Sequence, residues 1–453
     1  MLAVPDVWEG TKEVLVASRG PAGATFGRAV IDSRQAGPGD LFFALRGQRH
    51  DGHDFVSSAL AAGATGAVVE RPLDVPGESA LFQVSDSLVA LQRLGAYWRR
   101  RHNIRVVAVT GSVGKTTCKE LIAAILARRY RVLKSEANLN TEIGIPLTLL
   151  QLTPDHQRAV LEFAMYDRGE IALLSRIAAP QVGVVTNIGP VHLERLGYMG
   201  AIVAAKAELV EALPADGVAV LNGDDPRVAR LATRTRARAL LYGQSPQCHL
   251  RASDVQSRGL EGISFRLTHG EASVPVSCAL PGRHHVYPAL AAAAVALTEG
   301  MTLAEIADAL PQARPELRLR VLPGPGGSTL IDDSYNASPA SMLAALDLLA
   351  ELPGRRIALL GEMRELGAAE EEGHRRVGQR AAAACDLLLV LGDRAQPLAE
   401  AARQAGHQDV RFLESAEAAE SEIRAEARRG DHILIKASRA LALETLVDAL
   451  VAR

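Results

Sequence analysis

The residues best suited to chemistry lie in "VAVTGSVGKTTCKE", residues 107–120. Gly111, Ser112, Val113, Gly114, Lys115, Thr116 and Thr117 stand there between an apolar strand and a helix. Small residues leave backbone N–H groups free to wrap a phosphate, and a helix N-terminus favours the anion. Lys115 is placed to reach the β- and γ-phosphates, and Thr116 or Thr117 to ligate Mg²⁺. The spacing is G-x-x-G-K-T-T, with Val109 where the longer phosphate-loop motif has its first glycine. Strand, loop and helix together predict an ATP site.

Two further groups fall at strand ends. Glu162 closes "AVLE", and His192 follows "VVTNIGPVHLE". Open α/β sheets bind ligands beyond the carboxyl ends of their strands. Taken singly, Glu162 also reads as a surface carboxylate and His192 as a hydrogen-bonded loop residue. Beside a phosphate loop they form a candidate Mg²⁺ shell of oxygen and imidazole ligands. A phosphoryl group in transfer is strongly anionic, so cations are the main catalytic tool.

Lys206 sits in "AIVAAKAELV", residues 201–210. On a helix advancing about 100° per residue it falls among Ile202, Val203, Leu209 and Val210, with Glu208 pointing away. Only six of the 50 basic residues are lysine. Arginine can replace most surface lysines, so each survivor is informative. Lys115, Lys206 and Lys436 lie in segments with candidate chemistry, and Lys12, Lys119 and Lys134 read as surface residues. Burial beside a cationic site strips a lysine of its charge. A neutral lysine amine can add CO₂ to form a carbamate, an anion able to ligate metal or orient phosphate; arginine is not expected to do so. The competing reading has Lys206 snorkelling to solvent.

The elements that position these groups follow from length and pattern. At 453 residues the chain is long enough for about three domains. Hydrophobic content of 48% and charged content of 23% are those of a soluble protein. A net charge of −2 leaves no polybasic footprint for nucleic acid. Four cysteines without a C-x-x-C pair argue against a disulfide scaffold or zinc site and suit a reducing cytoplasm. "MLAVPDVWEG" is not the start of a signal peptide, and no uncharged apolar run reaches the roughly 18 residues of a membrane span.

Residues 1–84 read as a small α/β unit, with Gly63 as a helix stop. A connecting helix follows from Asp86, with Leu88, Leu91, Leu94 and Trp98 near one face and a charged end, "WRRRHN". The second segment, 85–313, alternates the strands "RVVAVTG", "RAVLEF", "VGVVTNIG" and "GVAVLN" with helices, the rhythm of a parallel sheet. The third, 314–453, repeats it with "STLIDDS", "RRIALLG", "DLLLVLG" and "DHILIKA". The predicted fold class is α/β in three domains: a small N-terminal unit, a central parallel-sheet phosphate-loop domain and a C-terminal Rossmann-like domain.

These motifs, in this order, resemble the Mur ligase family, ATP-dependent ligases that extend the peptide of the cell-wall precursor. The likeness covers nearly the whole chain through "GSVGKTT", "NLNTEIGIPLTLL", "EFAMYDRGEI", "TNIGPVHLERLG" and "AAKAEL". "IDDSYNASPASM" and "LGEMRELG", followed by His374, resemble the member that adds the final dipeptide. "DSR", carrying Ser33 and Arg34, resembles its uridine-nucleotide unit together with "GDLFFALRG" and "DGHDF". The resemblance implies that UDP-N-acetylmuramoyl-tripeptide and D-alanyl-D-alanine are joined through an acyl phosphate, with ATP and Mg²⁺, in the cytoplasm. It assigns Lys115 to the phosphates, Thr116, Glu162 and His192 to Mg²⁺, and a CO₂-derived carbamate to Lys206. It places Asn138 and Thr141 toward phosphate and substrate. It also implies that Arg318, Asp333, Tyr335 and Asn336 contact or close over nucleotide, and that Lys436, Ser438 and Arg439 bind the dipeptide carboxylate. Tyr335 reads equally as a packed strand end and Asn336 as a helix N-cap. Departures from the family pattern are His285 and Pro288 in the adenine-side block, Leu317 before Arg318, and Ala437. Another amide ligase of this fold, such as folylpolyglutamate synthase, and a non-catalytic ATP-binding relative remain open alternatives.

Overall fold

The apolar runs read as strands all form strands in the computed structural model, which describes residues 1–75, 79–313 and 318–451. Leu317 lies outside the described residues, as does the start of the expected third segment. The central sheet has nine strands in the order Val132–Lys134, Arg158–Glu162, Arg105–Thr110, Val182–Val185, Val218–Asn222, Arg238–Gly243, Leu250–Ser257, Ile263–His269 and Ala272–Cys278. The first seven run parallel; the last two add an antiparallel extension. Sequence reading did not anticipate that extension, whose strands are half-exposed and polar along one face.

Strand Arg105–Thr110 lies where the order reverses. The chain goes from it first to Val132–Lys134, on one side, and later to Val182–Val185 on the other. This is the switch point at which open α/β sheets bind ligands. Register keeps the carboxyl ends level, with Glu162 opposite Val109 and Val185 opposite Thr110. Successive side chains point to opposite faces: Val106 and Ala108 enter one core, Val107 and Val109 the other.

The N-terminal unit carries a five-stranded sheet ordered Leu15–Arg19, Ala80–Val84, Gly66–Val69, Leu41–Phe43 and Ala29–Val30. Gly63, at φ +110°, stops the helix Val56–Ala61 as expected. The connecting helix spans Ser87–Arg100, and the Asp86 side chain accepts the Val89 N–H at its start. Of its charged end, Trp98 and Arg99 are packed into the fold, while Arg100 and Arg101 stay exposed. Trp98 Nε1 donates to Leu152 O at 3.1 Å, and the buried Arg99 guanidinium donates to Ala178 O at 2.8 Å. One apolar core therefore runs from Leu2 and Phe82 through Leu91 and Leu94 into Leu149 and Leu161.

The C-terminal sheet orders Arg320–Pro323, Thr329–Asp332, His432–Lys436, Arg356–Gly361, Leu387–Leu391 and Val410–Leu413. All but the first run parallel, and helices cover both faces. The expected α/β class is observed, with three large sheets and a two-stranded pair, Leu2–Ala3 with Thr25–Phe26. No helix among the described residues is long and apolar enough to cross a membrane.

Candidate active site

The phosphate loop is held rigid by the neighbouring strand end, residues 186–189. Ser112 N donates to Asn187 O at 2.9 Å, and Val113 N to Asn187 Oδ1 at 2.8 Å. Asn187 Nδ2 and Thr186 Oγ1 both return to Val113 O, at 2.9 and 2.8 Å. Asn222 Nδ2 braces Thr186 O at 2.9 Å. Gly111 has φ +150°, and a Cβ there would stand 1.9 Å from Thr186 Oγ1. Gly114, at φ +79°, turns the chain into helix Lys115–Leu126. Asn187 and Thr186 were visible in "TNIGPVHLERLG", but nothing in the sequence linked them to the loop.

Lys115 Nζ folds over this loop, donating to Gly111 O at 2.9 Å and Ser112 O at 3.2 Å. Burial lowers its pKa; the Glu162 carboxylate offsets part of that, and the Arg318 guanidinium adds to it. Lys115 thus senses an acid from its own sheet and a cation from the C-terminal unit. Thr116 and Thr117 follow it on the first turn.

Glu162 is buried beside the loop at the end of its strand. Its Oε1 accepts Asn140 Nδ2 at 3.0 Å, while Oε2 is buried without a hydrogen-bond partner. A buried carboxylate oxygen left unmatched is costly and points to a missing positive partner. Asn140, and not Asn138, is the asparagine that touches this acid; Asn138 is exposed, and Thr141 lies half-buried on the same loop.

His192 adopts φ +55° and marks the meeting of the central and C-terminal units. Its Nδ1 lies 2.5 Å from Glu365 Oε2 without hydrogen-bond alignment, and the imidazole lowers the Glu365 pKa. Tyr166 packs edge-on against the His192 ring, with centroids 5.1 Å apart. Glu365 lies within the "LGEMRELG" block, which the sequence singled out without indicating its partner.

Lys206 lies on helix Met199–Glu211 and is 2% exposed, which removes the snorkelling reading. It makes no hydrogen bond or ion pair with any described residue. Burial first, and then the charge of Lys115, hold its pKa well below the usual lysine range. Glu208 points away, accepting Gly169 N at 2.7 Å and Ala172 N at 3.0 Å.

Two lysines expected at the surface are elsewhere. Lys119 is fully buried, and Lys134 is half-buried; both ammonium groups lie 2.7 Å from the Glu120 carboxylate. Lys119 follows Lys115 by one helical turn and so faces the sheet. Lys12 is exposed, as expected.

The C-terminal unit presents Tyr335 between two cations. The guanidinium of Arg318 lies 3.9 Å and that of Arg439 5.3 Å from its ring centroid. Lys436 is buried, ion-paired to Asp333 Oδ2 at 2.6 Å and donating to Asn336 O at 2.9 Å. Its ammonium therefore holds the 333–336 loop. Ser338, and not Asn336, caps helix Pro339–Ala350, and Asn336 Oδ1 accepts Ala337 N. Ser438 Oγ is buried without a partner, and Arg439 pairs with Glu444.

His285 Nδ1 donates to Pro281 O at 2.6 Å, and its ring lies 4.1 Å from that of His284. Burial lowers the pKa of both histidines. Pro288 occupies the first turn of helix Val286–Thr298, where its missing N–H is harmless. In the N-terminal unit, Ser33 and Arg34 form a short turn capped by Asp32. Arg34 donates to that carboxylate at 2.6 Å and holds its pKa at about 2.

Comparison with known proteins matches this arrangement. Residues 29–135 match the Mur ligase family, catalytic domain; residues 109–296 the Mur ligase middle domain; and residues 317–439 the Mur ligase, glutamate ligase domain. The chain is 40% identical to the UDP-N-acetylmuramoyl-tripeptide–D-alanyl-D-alanine ligase of Synechocystis, covering 93% of this chain and 91% of that one. It is 36% identical to the Escherichia coli protein of the same name, covering 95% and 94%. A crystal structure of MurF from Acinetobacter baumannii superposes with a TM-score of 0.89 at 31% identity, over 100% of this chain and 99% of that one. MurF from Thermotoga maritima in complex with ADP superposes at 0.82 and 29% identity, over 94% and 97%. A folylpolyglutamate synthase of Mycobacterium tuberculosis, at 18% identity and a TM-score of 0.64 over 81% and 95%, shares the fold alone. The chain belongs to the Mur ligase family.

Proposed function

We propose that this chain joins D-alanyl-D-alanine to UDP-N-acetylmuramoyl-tripeptide while converting ATP to ADP and phosphate, in peptidoglycan precursor synthesis. One observation carries the reading: Lys115 folds over the phosphate loop at the sheet's switch point, where the neighbouring strand ends in the buried Glu162 with Oε2 unmatched. Similarity to ligases of that name over nearly the full length supports the choice of substrates.

A carboxylate is a poor electrophile. Transfer of the γ-phosphoryl group to the tripeptide's terminal carboxylate gives an acyl phosphate; the dipeptide amine attacks its carbonyl carbon, and phosphate leaves with the bonding electrons. The loop Gly111–Thr117 would cradle the phosphates, and Lys115 would exchange its two backbone carbonyls for phosphate oxygens. Arg318, stacked on Tyr335, would bring a second cation to the same charge. Asp333 and Asn336 belong to the loop that would close over the nucleotide, with Lys436 as its clamp. Ser438 and Arg439 would meet the dipeptide, with Arg439 leaving its Glu444 partner to do so. Asn138 and Thr141 would border the reacting carboxylate, and Ser33 and Arg34 the uridine end. This division follows the units 1–84, 85–313 and 314–453.

The residues present fit Mg²⁺. Glu162 Oε2 is an orphaned buried acceptor, and Thr116 and His192 would complete the protein's share. Among the described residues no three His, Cys, Asp or Glu side chains cluster, in keeping with a cation that keeps water and phosphate oxygens as ligands. When bound, the ion supplies charge neutralisation at the transferred phosphoryl group. Lys206, its pKa held well below the usual lysine range and with no hydrogen-bond or ion-pair partner among the described residues, offers the amine that carbamate formation requires. A cytoplasmic setting suits the four free cysteines and the nucleotide substrates.

Phosphate release is the test. Purified protein with ATP, Mg²⁺, UDP-N-acetylmuramoyl-tripeptide and D-alanyl-D-alanine should release phosphate only when all are present. Release with folate and glutamate instead would overturn the reading.

A further inference from the structure

Lys119 is fully buried and lies one turn beyond Lys115 on the helix that the phosphate loop opens. Its Nζ donates to Ser135 O at 2.5 Å and pairs with Glu120 Oε1 at 2.7 Å. Ser135 is the hub of the neighbouring strand end. Its N–H donates to Val160 O at 3.1 Å, and its Oγ accepts the Glu162 N–H at 3.0 Å. From Ser135 the chain runs through Ala137, at φ +44°, to Asn140, whose side chain holds Glu162 Oε1. Asn140 O in turn accepts Ala164 N at 2.9 Å.

One ammonium thus ties the phosphate-loop helix to the segment that fixes both the backbone and the side chain of Glu162. A buried lysine needs a reason, because its charge must be matched. Glu120 supplies the counter-charge, but Glu120 is also matched by Lys134 at 2.7 Å. Ion pairing therefore does not by itself explain Lys119. The bond to the Ser135 carbonyl is what no other side chain among the described residues provides.

We propose that Lys119 is a positioning residue. It sets the distance between the phosphate loop and the Glu162–Asn140 pair and keeps that acid in register with the transferred phosphoryl group. The proposal rests on the reading that Glu162 serves phosphoryl transfer.

The test is a double-mutant cycle on steady-state turnover with Lys119→Met, Ser135→Ala and the pair, with Glu162→Gln as control. Lys119→Met leaves Glu120 paired to Lys134, so no buried charge is orphaned. It should lower kcat about 30-fold with KM for ATP within about twofold, the scale expected when a catalytic group drifts by less than an ångström. Ser135→Ala should lower kcat about tenfold, and the pair about 30- to 50-fold, because the Lys119–Ser135 carbonyl bond and the Ser135 Oγ–Glu162 N–H bond lie in series on one path to the acid. Nucleotide affinity measured by calorimetry without Mg²⁺ should match wild type in all three. An unchanged kcat in Lys119→Met, or a loss in the pair equal to the product of the single losses, would overturn the proposal. If Lys119→Met does not fold, Lys119→Gln decides, being uncharged and too short to reach the Ser135 carbonyl: a fall in kcat with KM for ATP unchanged supports the proposal, and wild-type kcat overturns it. A fully active Glu162→Gln would instead sink the reading of the site itself.

Discussion

Lys206 and Lys436 are equally buried, each 2% exposed, yet their surroundings are opposite. Lys436 ends a strand of the C-terminal sheet and is matched by the Asp333 carboxylate and two backbone carbonyls. Lys206 has no such partner among the described residues, and Lys115 nearby repels its charge. Removing a charge from water is costly unless it is paired, so the Asp333 carboxylate offsets the burial of Lys436, which clamps a loop, while burial and the charge of Lys115 drive the pKa of Lys206 down. Burial alone does not assign a lysine's role; the partners do. Lys119 belongs with Lys436 on this test and Lys206 stands apart.

The contrast breaks first at Lys206. Lys206→Ala should lower kcat by about a thousandfold, the scale of losing an electrostatic group in a dry site, with partial recovery from a short carboxylic acid in the medium. Lys206→Arg should be equally inactive, because arginine does not form a carbamate. Phosphate release measures both, and an active Lys206→Arg enzyme would remove the anionic role.

At Lys436 the expected loss is in stability. Lys436→Met strands the Asp333 carboxylate and should cost about 3 kcal/mol in denaturant unfolding. A neutral change there would place Lys436 beside Lys206 after all. Gly111→Ala should weaken nucleotide binding about 30-fold in calorimetry, or roughly 2 kcal/mol, through the clash with Thr186 and the forced backbone angle.

The smallest effect sharpens the contrast through pH. Between the lowered folded pKa of Lys206 and the ordinary lysine value of 10.5, the unfolded chain binds the extra proton. Stability therefore rises with pH across that window. Lys206→Met lacks this slope. In CO₂-free buffer without ligands, its melting temperature should exceed wild type near neutral pH, with the gap closing as pH rises toward 10.5. A gap independent of pH would mean that Lys206 is charged in the folded protein.

Much of this arrangement was legible in the sequence because its signals are local. The phosphate loop announces itself by spacing, the parallel strands by continuous apolar runs, and Lys206 by its place on a helix face. Lys119 was misjudged because its partner, the Ser135 carbonyl, comes from beyond the end of strand Val132–Lys134. Asn138 and Asn140 sit two residues apart in "NLN", and only the turn at Ala137 sends Asn140 to Glu162. The reach of Glu365 to His192 depends on how two units meet, which no local pattern encodes. The antiparallel extension escaped notice because its strands alternate polar and apolar residues without helices between them.

The most direct measurement is ¹³C NMR of the protein equilibrated with ¹³C-labelled bicarbonate. The expected result is one carbamate resonance in the active enzyme that is missing from Lys206→Arg. An active wild-type enzyme without that resonance, or one that persists in Lys206→Arg, would contradict Lys206 as the anion of this site.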